Sequence, residues 1–287
     1  MIAFYQDLMQ YEFLQKALFT SIMVGIICGV IGSFIVLRGM SLIGDAISHA
    51  VLPGVAISYM LGINFFYGAV LTGMLTAVGI GYINQNSRIK NDAAIGIVFS
   101  SAFAIGVILI AKANSSIDLN RILFGNVLSV RSSDMWMTLI IGAIVLLTVV
   151  LFYKELLVST FDPTFSASYG LPNKLIHYVI MILLTLVTVA SLQTVGIILV
   201  VAMLITPAST AYLCTNRLWV MILLAALFGA ISSIAGLYFS FVYNLSSGAT
   251  IVLVSTALFL IAFFFVPKQG LLWRSLRSKK RKTLLEQ

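Results

Sequence analysis

The sequence predicts an all-α, polytopic transmembrane bundle of about nine spans, within a range of about eight to ten, forming one domain over residues 1–287. Three observations predict it. Hydrophobic residues make up 61% of the chain and charged residues 9%, with mean hydropathy +1.09, a composition that could not cover a water-facing globule. Apolar runs of about 20 residues, the length that crosses a bilayer, recur along the whole chain. The basic residues fall unevenly between alternate connections.

In order, the runs are 17–37, 43–61, 64–84, 93–111, 135–153, 175–191, 195–213, 219–243 and 249–266. The first follows Asp7, Glu12 and a single basic residue, Lys16, with no small-residue cleavage site after it, and so reads as a retained helix rather than a signal peptide. Gly25 and Gly29 within it, and Gly229 and Gly236 in the eighth run, are small residues that let helices approach closely. The seventh run contains Thr206-Pro207, which predicts a bend.

Two connections carry features of their own. Residues 112–134 include an amphipathic piece, 119–130, flanked by Asp118 and Asp134 and containing Arg121. It is either a docking surface for an extracytoplasmic partner or a packed re-entrant segment. Residues 154–172 contain Asp162-Pro163, an N-cap followed by proline at the first helical position, and then Gly170 before Pro172 as a stop. That spacing predicts a short inner-face helix over about 161–172, either a lever pushed by another protein or a plain connector.

With nine spans and the C-terminus inside, Arg38, Arg88, Lys90, Lys154, Lys174, Arg217 and seven residues of the tail 267–287 lie inside, 13 in all, against four outside, Lys16, Lys112, Arg121 and Arg131. The asymmetry places the N-terminus outside and the C-terminus in the cytoplasm of a cell-membrane protein. The net charge of +8 is concentrated in that tail, which fits anionic lipid and not nucleic acid. Cys28 and Cys214 are too few and too far apart for a disulfide framework or a metal pair.

Against this apolar background, Asp45 is the one acid and His49 the one histidine inside a predicted span, since His177 sits at the start of the sixth. A lone histidine there would be a packing residue. Spaced i, i+4, however, the two side chains lie one turn apart on one helix face, and ionisable groups in a membrane mark functional sites. Carboxylate with imidazole suits manganese, iron or zinc. Two ligands do not close a site, but two copies of the chain about a two-fold axis would supply four. Ser48, Met40 and the carbonyl freed by Pro53 are candidate weaker contacts. There is no GxxxxGK[ST], HExxH or GxSxG motif, and the GxGD pattern of intramembrane proteases fails at Leu42. The chain therefore does not read as an enzyme. An intramembrane metal-dependent hydrolase and a proton-coupled carrier are the competing readings.

The run Leu37-Arg38-Gly39-Met40-Ser41-Leu42-Ile43-Gly44-Asp45-Ala46-Ile47-Ser48-His49-Ala50-Val51-Leu52-Pro53-Gly54 resembles the permease subunits of ABC-type manganese, zinc and iron importers. So do Ala94-Ile95-Gly96-Ile97, Ile122-Leu123-Phe124-Gly125-Asn126, Ser159-Thr160-Phe161-Asp162-Pro163 and Val195-Gly196-Ile197-Ile198-Leu199-Val200-Val201-Ala202-Met203-Leu204-Ile205-Thr206-Pro207-Ala208. The likeness is greatest to the manganese permeases of streptococci and related Gram-positive bacteria. It implies a metal-chelate-type importer fold and a homodimeric permease seated on an ATP-binding-cassette ATPase dimer, fed by an extracellular metal-binding lipoprotein. It implies Mn2+ as cargo, with Zn2+ or Fe2+ as alternatives, and no permanently bound cofactor. Asp45 and His49 would be the metal ligands, and Asp162, Pro163, Ser166, Ala167 and Gly170 the residues coupling the permease to its ATPase. In the family the positions of Ser166 and Ser168 usually hold alanine, and that of Thr164 often an acid.

Overall fold

The computed structural model describes residues 9–112 and 127–266. Most of the amphipathic piece 119–130, the stretch 122–126 and the basic tail 267–287 lie outside the described residues. Among those residues nine helices are long and apolar enough to cross a membrane, as the sequence predicts, and no strand occurs. Helices are the expected form because each satisfies its own backbone groups where no water can.

The elements are α1 Glu12–Leu37, α2 Ser41–Ala50, α3 Leu52–Leu61, α4 Phe65–Asn86, α5 Asn91–Lys112, α6 Ser132–Leu151, α7 Tyr153–Phe161, α8 Pro163–Ser168, α9 Asn173–Val195, α10 Ile197–Cys214, α11 Leu218–Tyr243 and α12 Ser247–Phe265. Helices α2 and α3 together form the second span, 41–61. The interruption between them falls at Val51, two residues before Pro53, which has no N–H to continue the ladder.

Helix α1 is the central post. Of its most apolar stretch 72% is buried, against 22% in α5, so α1 is surrounded while α5 lies at the rim. Helices α6, α9, α10 and α11 pack around α1. The α1–α11 contact is close because glycine meets glycine: a Cβ on Gly25 would stand 2.6 Å from the Gly229 carbonyl oxygen. Ser233 Oγ also donates to Ser21 O at 2.8 Å across this seam. Helices α3, α4 and α5 form a second group, and α2 lies between the groups, touching α4, α5, α9 and α10. A helix in that position can be moved only by moving its neighbours.

The structure shifts one boundary and adds detail to several elements. The first span begins at Glu12 rather than 17, extended by a turn in which Glu12 pairs with Lys16 at 2.6 Å. Helix α10 passes through Pro207 as one continuous helix. The described end of the long 112–134 connection, Val127–Ser129, is a 3-10 turn packed on α1 and α12 with Val127 buried. Between the fifth span and the short helix α8 stands a further helix, α7, which the charges of Lys154 and Glu155 conceal in the sequence.

Candidate metal site and coupling surface

Helix α2 leaves one stripe open. Ile43, Gly44, Ala46, Ile47, Ser48 and Ala50 are buried against the rest of the chain, whereas Leu42 is 52% exposed and the side chains of Asp45 and His49 are 46% and 23% exposed. Leu42, Asp45 and His49 fall at i, i+3 and i+7, a single helix face. The sequence-predicted pair therefore sits at the margin of the chain's own core, with the Asp45 carboxylate half-exposed and the His49 ring mostly covered.

His49 Nε2 and Asp45 Oδ1 are 3.6 Å apart. That is too long for a hydrogen bond. An ion about 2.1–2.2 Å from both atoms would see them at an angle of about 110–120°, close to tetrahedral. The separation suits two adjacent ligands of one small divalent cation.

The imidazole is held by apolar edges. Phe99 and Phe103 of α5 approach the His49 ring edge-on, with centroids at 5.5 and 5.9 Å and interplanar angles of 64° and 82°. These positions agree in depth, since Phe99 is eight residues into α5 (99 − 91) and His49 eight into α2 (49 − 41), about 12 Å along each helix. His49 Nδ1 is buried and has no hydrogen-bond partner among the described residues. A metal-binding histidine is normally oriented by an acceptor on its second nitrogen; His49 has instead the two phenyl rings packed against it. No signal in the sequence marked Phe99 and Phe103, because they meet His49 only through the packing of α5 on α2.

The weaker contacts expected from the sequence are engaged elsewhere. Ser48 Oγ donates to Gly44 O at 2.8 Å and is fully buried. Met40 is buried too, and the carbonyls of Ile47 and His49 accept backbone N–H groups at the end of α2. Among the described residues no cluster of three or more His, Cys, Asp or Glu side chains occurs. Among the described residues, one copy of the chain thus brings together Asp45 and His49 and no third side chain of these types.

The second site is α8. Asp162 caps it as the sequence predicts: its Oδ1 accepts from Thr164 N at 3.1 Å, Phe165 N at 2.9 Å and Thr164 Oγ1 at 2.6 Å. The Phe165 amide and then the Thr164 hydroxyl hold its carboxyl below the usual aspartate range. At the other end Gly170 N donates to Ala167 O at 3.1 Å and Leu171 N to Ser166 O at 3.0 Å, the paired bonds of a Schellman stop. Asp162, Pro163, Ala167 and Gly170 are exposed, whereas Ser166 is buried. Its hydroxyl donates to Asn173 Oδ1, and Asn173 Nδ2 donates to Pro163 O. Ser166 is therefore corrected from a docking contact to a brace fastening α8 to α9. What α8 does present is aromatic. Phe165 and Tyr169 are 55% and 78% exposed and stack with centroids 6.1 Å apart. With exposed Phe161 they form an i, i+4, i+8 series readable in the sequence as a repeat of aromatic residues at helical spacing.

Among the described residues, nine long apolar helices, one of them carrying a paired acid and imidazole, define a multi-span helical membrane protein. The chain belongs to the ABC 3 transport family, which it matches over residues 10–266. It is 68% identical, across 98% of its own length and 99% of the other's, to the manganese transport system membrane protein MntC of Listeria monocytogenes. To the manganese import system permease protein ScaB of Streptococcus parasanguinis it is 56% identical, across 93% and 95% of the two chains. Its fold matches a chain in the solved structure of PsaBC from Streptococcus pneumoniae in complex with Fab, with TM-score 0.86, 52% identity and coverage of 97% of this chain and 100% of that one. An inward-facing metal-chelate-type ABC transporter, 15% identical, shares the fold at TM-score 0.68 over 86% and 84% of the chains.

Proposed function

We propose that the chain is the membrane-spanning subunit of an ATP-binding-cassette importer that carries Mn2+ into the cytoplasm. The observation that carries this reading is the open Leu42, Asp45 and His49 stripe. A carboxylate 46% exposed on an intramembrane helix would cost several kcal/mol against lipid, on the order of 2.5–3.5 by insertion scales. A second copy placed against the stripe removes that cost and brings two Asp45 and two His49 side chains around one position. Two carboxylates balance the charge of one divalent ion, so the loaded site is neutral in an apolar setting. An empty site holds two facing carboxylates, and this repulsion favours refilling.

The relatives named as manganese permeases support Mn2+ as the cargo, and mixed oxygen and nitrogen ligands are compatible with it. ATP hydrolysis belongs to a separate subunit, as the sequence holds no phosphate-binding GxxxxGK[ST] loop. That ATPase dimer sits at the α7–α8 end, where exposed Phe165 and Tyr169 supply apolar anchors. This end is the cytoplasmic face, with the N-terminus outside, and an extracellular metal-binding lipoprotein delivers the ion from the opposite side. Movement of α8 by the ATPase parts the two α2 helices, breaks the four-ligand set and releases the ion inward.

The test is uptake into proteoliposomes containing the chain with its ATPase, comparing Mn2+, Zn2+ and Fe2+. ATP-dependent accumulation of Mn2+ above the other two is the expected result. Preference for Zn2+ or Fe2+ reassigns the cargo. Uptake by the chain alone, driven by a pH gradient without ATP, overturns the importer reading in favour of a proton-coupled carrier.

A further inference from the structure

Arg38 lies where the two proposed sites meet. As a basic residue just inside the membrane it resembles an ordinary lipid anchor, but its side chain turns sideways into the protein. Arg38 Nη2 donates to Ser159 Oγ at 3.0 Å and Nε to Thr160 Oγ1 at 3.2 Å. Thr160 Oγ1 donates in turn to Leu156 O at 2.6 Å, so the hydroxyl is oriented to accept from the guanidinium. Ser159 is 5% exposed. Burial lowers the Arg38 pKa to about 10, which leaves it charged at neutral pH, and charged donors make the stronger hydrogen bonds.

On one side of this contact is the segment an ATPase would move. Thr160 is two residues from Asp162, the cap of α8. Helix α7 packs mainly on α6, α8 and α9. Its far end borders a cavity of about 180 Å³ lined by Leu37, Phe161, Tyr212 and Arg217 among others. Apolar packing therefore leaves that end of α7 unfilled on one side, and the Arg38 bonds span from it to the end of α1.

On the other side is the metal-ligand helix. Gly39 N donates to Val36 O at 3.1 Å, Met40 N to Ile35 O at 3.0 Å and Ile43 N to Met40 O at 3.0 Å. The first two are the paired bonds of a Schellman turn, which needs the left-handed conformation that Gly39 adopts at φ +65. The end of α1, Arg38 and the start of α2 are thus one hydrogen-bonded unit. Asp45 lies four residues into α2 from its first residue Ser41 (45 − 41), about 6 Å along that helix.

We infer that Arg38 is the positioning residue that transmits movement of the α7–α8 segment to α2 and its Asp45–His49 pair. The inference rests on the proposed roles of α8 and of that pair. The planar fork of arginine suits the task because it holds two hydroxyls at a fixed separation, which the single ammonium of lysine does not. Contiguity alone does not prove coupling, so the test reads coupling directly.

The assembled permease–ATPase complex in proteoliposomes would be compared as wild type, Arg38→Gln, Arg38→Lys, Ser159→Ala/Thr160→Val and the triple variant carrying Arg38→Gln with both hydroxyl changes. Three quantities are read: Mn2+ bound without nucleotide, ATP hydrolysed, and Mn2+ transported per ATP. The first two are expected to stay within twofold of wild type, while transport per ATP falls at least tenfold in Arg38→Gln and in the double variant. The triple variant should lose no more than either, because all break one link, and Arg38→Lys should fall between. Transport per ATP within twofold of wild type in Arg38→Gln overturns the inference. So does a parallel loss of Mn2+ binding and hydrolysis, which makes Arg38 a folding residue, and so do losses that add in the triple variant. Phe165→Ala/Tyr169→Ala and Asp45→Asn, run alongside, test the underlying readings separately: retained assembly in the former overturns ATPase docking at α8, and retained Mn2+ binding in the latter overturns the metal site.

Discussion

Replacing Phe99 and Phe103 together by leucine should weaken Mn2+ binding without touching either ligand. The two phenyl edges are the contacts that orient the His49 ring, since its buried Nδ1 has no partner among the described residues. An edge-to-face aromatic pair contributes about 0.5–1.5 kcal/mol beyond burial, so losing two costs about 1–3 kcal/mol. At about 1.4 kcal/mol per decade, affinity falls about 5- to 150-fold. Leucine keeps the apolar character of α5, and α5 is a rim helix with 22% of its most apolar stretch buried, so folding should survive, as elution of the detergent-solubilised complex at the wild-type volume would verify. Equilibrium dialysis of Mn2+ against the nucleotide-free complex measures the affinity. A double variant that elutes normally and binds within twofold of wild type refutes the claim that the phenyl edges set the ligand.

The Asp162 cap carries a pH expectation. Its carboxyl is held low in the folded chain, first by the Phe165 amide and then by the Thr164 hydroxyl, so the stabilisation is complete above the ordinary value of about 3.9 and is lost as pH falls through the lowered one. Association with the ATPase, measured by co-purification, should therefore show no pH dependence arising from this group between pH 8 and pH 5, and Asp162→Ala should weaken it throughout that range. Phe165→Ala/Tyr169→Ala should reduce co-purification at least tenfold, because both exposed rings are removed from the proposed interface. Gly25→Val should lower the melting temperature in detergent by several degrees: even its Cβ would stand 2.6 Å from Gly229 O where ordinary contact begins at 3.4 Å, and overpacking of this kind costs about 1–3 kcal/mol.

The nine spans are legible because a run of about 20 apolar residues has one stable form in lipid, and only their ends moved. The Asp45–His49 pair is legible for a related reason: ionisable side chains one turn apart stand out in an apolar run. The α8 cap is local chemistry, carried by adjacent residues 162 and 163. Features made by tertiary packing are hidden. Phe99 and Phe103 lie about fifty residues from His49 and look like lipid-facing core. Ser166 resembles a surface residue until the chain turns at Gly170 and brings Asn173 onto it. Helix α7 mixes charge with apolar residues over nine positions, too short and too polar for a span, and so reads as loop. Arg38 has the sequence signature of a lipid anchor, and only the fold shows Ser159 and Thr160 waiting beside it.

Two copies of the chain are proposed to hold one cargo ion between their Asp45 and His49 side chains. Metal analysis of the purified, nucleotide-free complex, loaded with Mn2+ and freed of excess ion, tests this most directly in wild type, Asp45→Asn and His49→Ala. One Mn2+ per two copies is expected in wild type and none in either variant. Mn2+ retained at the wild-type ratio in either variant, or one ion per single copy, would contradict it.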